Sequence, residues 1–301
     1  MLAISVTRRE VRYISWDRLG EEVRLLACQV LPWEQALDGF HNVSQIRDTI
    51  RQISEEVLAD SPSRISIALD AEFCNYSLME IDPTWSADEQ LEFSLHQRFG
   101  DTPFFRSFQY PVDAANGVYL NIDCPVVLRR AIHTALASFR QEKHLLAIGI
   151  FSAFSYALRN NSSLEHGRHL FWRASSHGRD QWLEINNGEF QALHLMDRDG
   201  SRVRHVHTVG HSRLKKAIAS FIEQLGDGQD ALFPEVETVY TYLGSGHPDF
   251  LAAIFERELS SISLLNPFWQ WNWPDVPEAD NRFEQSAFVE LANSIWQQNN
   301  V

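Results

Sequence analysis

Gly244-Ser245-Gly246 follows an apolar strand pattern, Val236 to Leu243, and precedes Pro248, which suits the first position of a helix. Such a turn can bring backbone N–H groups close to a ligand, or expose a nucleophilic serine. The G-x-S-x-G spacing of a nucleophile elbow is absent, so hydrolysis is not the reading, and close backbone approach to a ligand stands beside a plain tight turn before a helix. His205 and His207 point to one face of a strand with His211 beyond the next turn, a set of three nitrogens that could hold a tetrahedral metal ion. Arg202, Arg204 and Arg213 oppose a dication there, and an exposed polar strand face is preferred. Trp269, Trp271 and Trp273 alternate with polar residues before Pro274. Extended, the row could grip a peptide or glycan; capping the core where the chain crosses back is the preferred alternative. Phe104, Phe105 and Phe108 pose the same question, and Phe105 is the candidate to face away from the core toward a partner. Asp88, Glu89 and Glu92 read as a solvated helix face.

The whole chain sets limits on that chemistry. Its 301 residues allow about two domains. Lys and Arg number 26 against 40 Asp and Glu, a formal charge of −14 that repels a phosphate backbone and excludes general nucleic-acid binding. Cys28, Cys74 and Cys124 form neither a disulfide framework nor a zinc ribbon, which points to a reducing compartment. Arg8, Arg9, Glu10 and Arg12 interrupt any leader-like apolar start, so secretion is not signalled and a cytoplasmic location is expected. The apolar stretch Leu145 to Leu158, with Ser152 and Ser155 inside it, is shorter than the ~20 residues that cross a bilayer.

The elements that position these residues form two similar series. Leu2 to Val6, Val11 to Trp16 and Val23 to Val30 are strand patterns. A helix capped by Ser44 follows, with Ile46, Ile50, Ile53 and Val57 on one side, and then a buried strand at Ile65 to Leu69. Ser86-Ala87-Asp88-Glu89 has capping-box spacing and predicts a helix to Arg98. Phe104 to Val112 and Gly117 to Cys124 pair as strands, and a helix carries Leu128, Ile132 and Leu136. The second half has three strand candidates, His169 to Ala174, Gln181 to Asn186 and Phe190 to Met196. After them come a helix from Ser212 to Leu225, the strand before Gly244, and an amphipathic helix over Glu284 to Gln298.

This order resembles the actin-like fold, and more narrowly the PilM and FtsA group within it. The resemblance rests on Ile81-Asp82-Pro83 before the capped helix, Tyr110-Pro111-Val112, the return strand at Leu145-Leu146-Ala147-Ile148, Val209-Gly210-His211-Ser212, Tyr242-Leu243-Gly244-Ser245-Gly246 and Leu265-Asn266-Pro267-Phe268. It implies an α/β protein of actin-like (ribonuclease H-like) duplicated domains with an inserted α+β subdomain in the first half. The expected division is a first core subdomain at 1–69, the insert at 70–145, a return and linker at 146–163, a second half at 164–280 and a C-terminal helix at 281–301. The insert enters and leaves through the same subdomain, so its removal is expected to spare the remainder.

Actin-like ATPases order Mg²⁺ and phosphate with an acidic residue and a glycine at the first strand turn, where this chain has Ser5-Val6-Thr7-Arg8. The resemblance therefore implies a vestigial nucleotide cleft marked by Ser5, Thr7, Gly178, Gly244 and Gly246, with no catalytic residue, metal or cofactor. ATP is the disfavoured alternative, with Arg8, Arg173 or Arg179 as counter-charge to phosphates. The expected role is a non-catalytic adaptor of a type IV pilus or type II secretion-like assembly, peripheral to the inner membrane. Its implied partner is the N-terminal peptide of a single-pass inner-membrane protein, held between the insert and the first core subdomain, with homo-oligomers compatible. The competing readings are an actin-like ATPase or kinase with atypical phosphate loops and a polymerising FtsA-like protein. Glu284 and Glu290 argue against binding of the last helix to an anionic leaflet.

Overall fold

The computed structural model describes residues 1–19, 22–57, 64–80, 84–86, 88–90, 92, 93, 96, 105–113, 116–137, 144–176, 179–199, 202–226, 233, 235–257, 261–270 and 282–296. Gly178, Pro83, Phe104, Trp271 and Trp273 lie outside them.

β1 (Leu2–Val6) and β4 (Ile65–Leu69) are buried at all five positions, which is why both read as unbroken apolar runs. They pair in parallel at the centre of a five-stranded sheet. β2 (Glu10–Leu19) and β3 (Glu22–Pro32) continue it as antiparallel strands, and β8 (His144–Ile148) closes the other side. α1 (Val43–Val57) buries Ile46, Ile50 and Ile53. Ser44 falls inside its first turn and does not cap it.

Between β4 and β8 the chain builds a separate three-stranded sheet from β5 (Asn75–Glu80), β6 (Phe105–Asp113) and β7 (Val118–Pro125), ordered β5-β7-β6, followed by α2 (Val126–Leu136). Ser86 and Glu89 satisfy each other's backbone N–H groups as the capping-box spacing predicts. α3 (Gly149–Asn160) then leads to the second half.

The second sheet runs β12-β11-β10-β9-β13-β14, built from β9 (Arg168–Ser175), β10 (Arg179–Asn186), β11 (Glu189–Asp199), β12 (Arg202–Gly210), β13 (Thr238–Ser245) and β14 (Ile262–Leu264). Where three strands were expected before the helix, β12 adds a fourth. Asn187 and Gly188, at φ 52° and 77°, make the tight hairpin between β10 and β11. α4 (Lys215–Gly226) and α5 (Asp249–Phe255) cover one face of this sheet.

The expected single C-terminal helix is two, α6 (Arg282–Ser286) and α7 (Val289–Trp296). The break at Ala287-Phe288 has a physical reason: it frees the Ala287 carbonyl to accept from Arg12 at 2.7 Å and the Ser286 hydroxyl to accept from Leu243 N at 3.0 Å. α7 packs into the body of the fold beside β1 and α3. Among the described residues no helix is long and apolar enough to cross a membrane.

Candidate functional site

Among the described residues a ligand could be held in the cleft between the halves, in a groove beside the insert, or in a hollow between β3 and the C-terminal helices. Side chains of this chain fill the cleft. Arg173 on β9 and Arg12 on β2 are both buried within apolar strands. Arg173 donates from Nε to Glu290 at 2.7 Å, pairs through Nη2 with Asp70 at 3.1 Å, and donates to the Gly244 carbonyl at 2.9 Å. Arg12 donates to the carbonyls of Leu243, Gly244 and Ala287 and pairs with Glu10. Glu290 on α7 also accepts from Ser5 Oγ and Tyr242 OH, each at 3.0 Å. Burial, and then the Glu290 charge, push the Tyr242 hydroxyl well above its ordinary range. Asp70 completes the network by accepting from Gln181. Cations and carboxylates are matched, as buried charges must be.

The groove is open. A cavity of about 230 Å³ is walled by Phe108, Gln109 and Tyr110 of β6, Ile122 and Cys124 of β7, Ala147 and Ile148 of β8, Phe151, Ser152 and Ser155 of α3, and Asn293 of α7, with Leu69 beside β8. β6 and β8 are the outermost strands of their sheets, so two strand edges flank it. Tyr110, Phe151 and Phe190 stack at 5.3–6.3 Å and join the insert, the first half and the second sheet behind it. Two buried polar atoms on its lining lack hydrogen-bond partners: Gln109 Nε2, a donor, and Asn293 Oδ1, an acceptor.

No known protein family and no curated protein matches the chain in sequence. Solved structures do. A PilM–PilN type IV pilus biogenesis complex superposes at a TM-score of 0.64 and 13% identity, covering 98% of this chain and 97% of that one. The chain has a PilM-like actin fold. A Bacteroides thetaiotaomicron protein with an actin-like ATPase fold and unknown function gives 0.49 at 8% identity, over 88% and 90% of the two chains. The cytoplasmic domain of EpsL, an inner membrane component of the Vibrio cholerae type II secretion system, gives 0.41 at 12% identity, over 96% and 94%. Of these three, the first superposes closely enough to argue from.

An actin-like fold raises the question of a magnesium nucleotide, and the described residues do not fit one. At the first turn, Thr7 Oγ1 accepts from the N–H groups of Arg9 and Glu10, the donors that would otherwise reach a phosphate. Ser5 is turned onto Glu290. Gly244 is a glycine because Arg173 lies over it: an added Cβ would come within 2.6 Å of Arg173 Cγ. The cavity left at this turn, lined by Thr7, Arg8, Asp70, Glu72 and Ser245 among others, is about 100 Å³, against about 300–1,000 Å³ for ordinary ligand sites. Gly246, at φ 90°, borders a larger cleft of about 350 Å³ between β3 and the C-terminal helices, whose charged lining groups, Glu10 and Glu284, are both anionic. The three arginines weighed as phosphate counter-charges are engaged elsewhere, Arg8 with Glu72, Arg173 as above, and Arg179 with Asp197.

Phe105 does not line the groove. It packs edge-on against Phe40 at 5.9 Å, while Phe108, 37% exposed, and Tyr110 face the cavity. His205 and His207 are exposed on β12. Glu290, read in the sequence only as a charge that opposes an anionic leaflet, is fully buried at the centre of the cleft network. Its neighbours Phe288, Val289, Leu291 and Ala292 are apolar on both sides, and that context was the available signal.

Proposed function

We propose that the protein is a non-catalytic adaptor that holds an extended peptide of a membrane-anchored partner in the groove between the insert and the first half. The observation that carries this is an open groove flanked by two outermost strands and walled mainly by apolar and aromatic side chains, with the polar groups of Gln109, Ser152, Ser155 and Asn293 among them. Apolar side chains of the segment would fill the space between Phe108, Tyr110 and Phe151, and the flanking strand edges suit an extended chain. The likeness to a PilM–PilN type IV pilus biogenesis complex supports a pilus-assembly setting, and the family resemblance read in the sequence supplies the finer reading, a position at the cytoplasmic face of the inner membrane with the N-terminal peptide of a single-pass protein as the segment held.

The test begins with capture of the partner from the native membrane fraction, followed by anisotropy of its synthetic N-terminal peptide. Phe108→Ala and Gln109→Leu are each expected to weaken that peptide by about tenfold or more, equivalent to about 1.4 kcal/mol, and Phe105→Ala to leave it unchanged. Unchanged affinity in both groove variants would move the partner to another surface.

A further inference from the structure

One stretch of this acidic chain combines a lack of carboxylates with a cluster of cations. Between positions 201 and 222 there is neither Asp nor Glu, yet Arg202, Arg204, Arg213, Lys215 and Lys216 all fall there, with His205, His207 and His211. Two of the three lysines in the whole chain are among them. The fold gathers these side chains on one rim. β12 is the outermost strand of its sheet, and the chain turns at Gly210 toward α4, which opens on Lys215 and Lys216. Val206, Val209 and Leu214 are turned inward, while Arg202, His205, His207, His211, Arg213, Lys215 and Lys216 are exposed. Arg202, Arg213, Lys215 and Lys216 pair with no carboxylate among the described residues, unlike Arg8, Arg47, Arg168 and Arg179.

We propose that the β12 rim is a second docking surface, separate from the groove, for an extended acidic segment of a partner protein. Exposed cations without internal partners concentrate positive potential on a molecule that is otherwise strongly negative, and that potential steers an acidic segment to this rim. From Arg202 to His207 the strand runs about 16 Å at ~3.3 Å per residue, the same repeat as an extended peptide lying beside it. An anionic bilayer is the other surface a basic rim could meet. Among the described residues the exposed large apolar side chains, Leu26, Val30, Phe40, Trp85, Phe93, Phe108 and Val127, all lie off the rim, which offers none of them to a bilayer. The net charge of −14 also repels lipids of the same sign, and a polypeptide is favoured.

The experiment is fluorescence anisotropy of a short labelled peptide alternating Glu and Thr, at low and high salt. The proteins are the wild type, the combined Arg202→Glu/Lys215→Glu/Lys216→Glu variant, and Arg51→Glu as a control at an exposed cation on α1. Circular dichroism and melting confirm that each is folded. Salt-sensitive binding by wild type and control, reduced about tenfold or more in the rim variant, is the expected result. Equal affinity in the rim variant, no binding by the wild type at low salt, or stronger association with phosphatidylglycerol vesicles than with the peptide would each overturn the proposal. A rim variant that still binds the groove peptide separates this surface from the first.

Discussion

Glu72 sits beside the charged cleft with its side chain 9% exposed, accepting from Arg8 Nη1 and from Arg179 N, each at 3.3 Å. Burial, and then the charge of Asp70, raise its pKa from 4.5 to about 7, against the pull of Arg173, Arg8 and Arg179. An acid with a raised folded-state pKa holds its proton more tightly folded than unfolded. Its contribution is complete below the unfolded value and is lost as pH rises through about 7. Glu72→Gln should therefore be more stable than wild type at about pH 8, by about 3 kcal/mol, with the difference closing toward pH 4. Urea midpoints across that range check it, and a flat wild-type profile would refute the assignment. Arg173→Met leaves Asp70 and Glu290 buried without their cation and should lose about 3–5 kcal/mol, part of which Glu290→Gln in the same chain restores. A loss under about 1 kcal/mol would mean that the network does not hold the halves.

At the scale of elements, the Arg173 side chain of β9 can lie across β13 only because position 244 lacks a side chain. A Cβ there would meet Arg173 Cγ at 2.6 Å and the Ala174 carbonyl at 3.0 Å. Gly244→Ala must push the guanidinium away from Asp70 and Glu290, and a loss of about 2 kcal/mol or more in thermal or urea unfolding is expected. If this glycine instead served a bound nucleotide, alanine would leave the apo protein's stability nearly intact. α7 meets the same requirement from the other side. An added Cβ at Gly149, where α3 begins, would fall 2.5 Å from the Glu290 carboxylate, so helix packing and charge pairing are one feature here.

For the whole molecule, the cores decide what can be removed. Tyr76, Leu120, Ile122, Leu128 and Ile132 of the insert belong to one continuous cluster with Leu2, Ile4, Ile50 and Ile67 of the first half. Asp70, at the entrance to the insert, is the partner of Arg173. Deleting residues 70–143 opens that core and orphans a buried cation. The variant is expected to lose its cooperative urea transition, contrary to what the connectivity implies, and a retained sharp transition would show the insert to be separable. Millimolar MgATP should leave the melting temperature of the intact chain unchanged, since a ligand at 100 times its dissociation constant adds ~2.7 kcal/mol and would be visible. A rise abolished by Gly246→Trp would overturn the non-catalytic reading.

Periodicity alone located β1, β4 and the buried stripe of α1, because a continuous apolar run or a 3.6-residue repeat follows directly from which side of an element meets the core. The Ser86 capping box was legible for the same kind of reason, since it is settled by atoms within four residues. The groove was anticipated from resemblance, but its lining was not. Alternation along β6 cannot say which side faces a cavity until β7, β8 and α3 are in place, and it is Phe108 and Tyr110, with Phe105 turned to Phe40, that line this one. The cleft was harder still. Arg173 and Glu290 are 117 positions apart and Arg12 and Ala287 are 275 apart. Their types announce buried charge within apolar surroundings, but which cation meets which carboxylate is decided only when α7 packs between the halves.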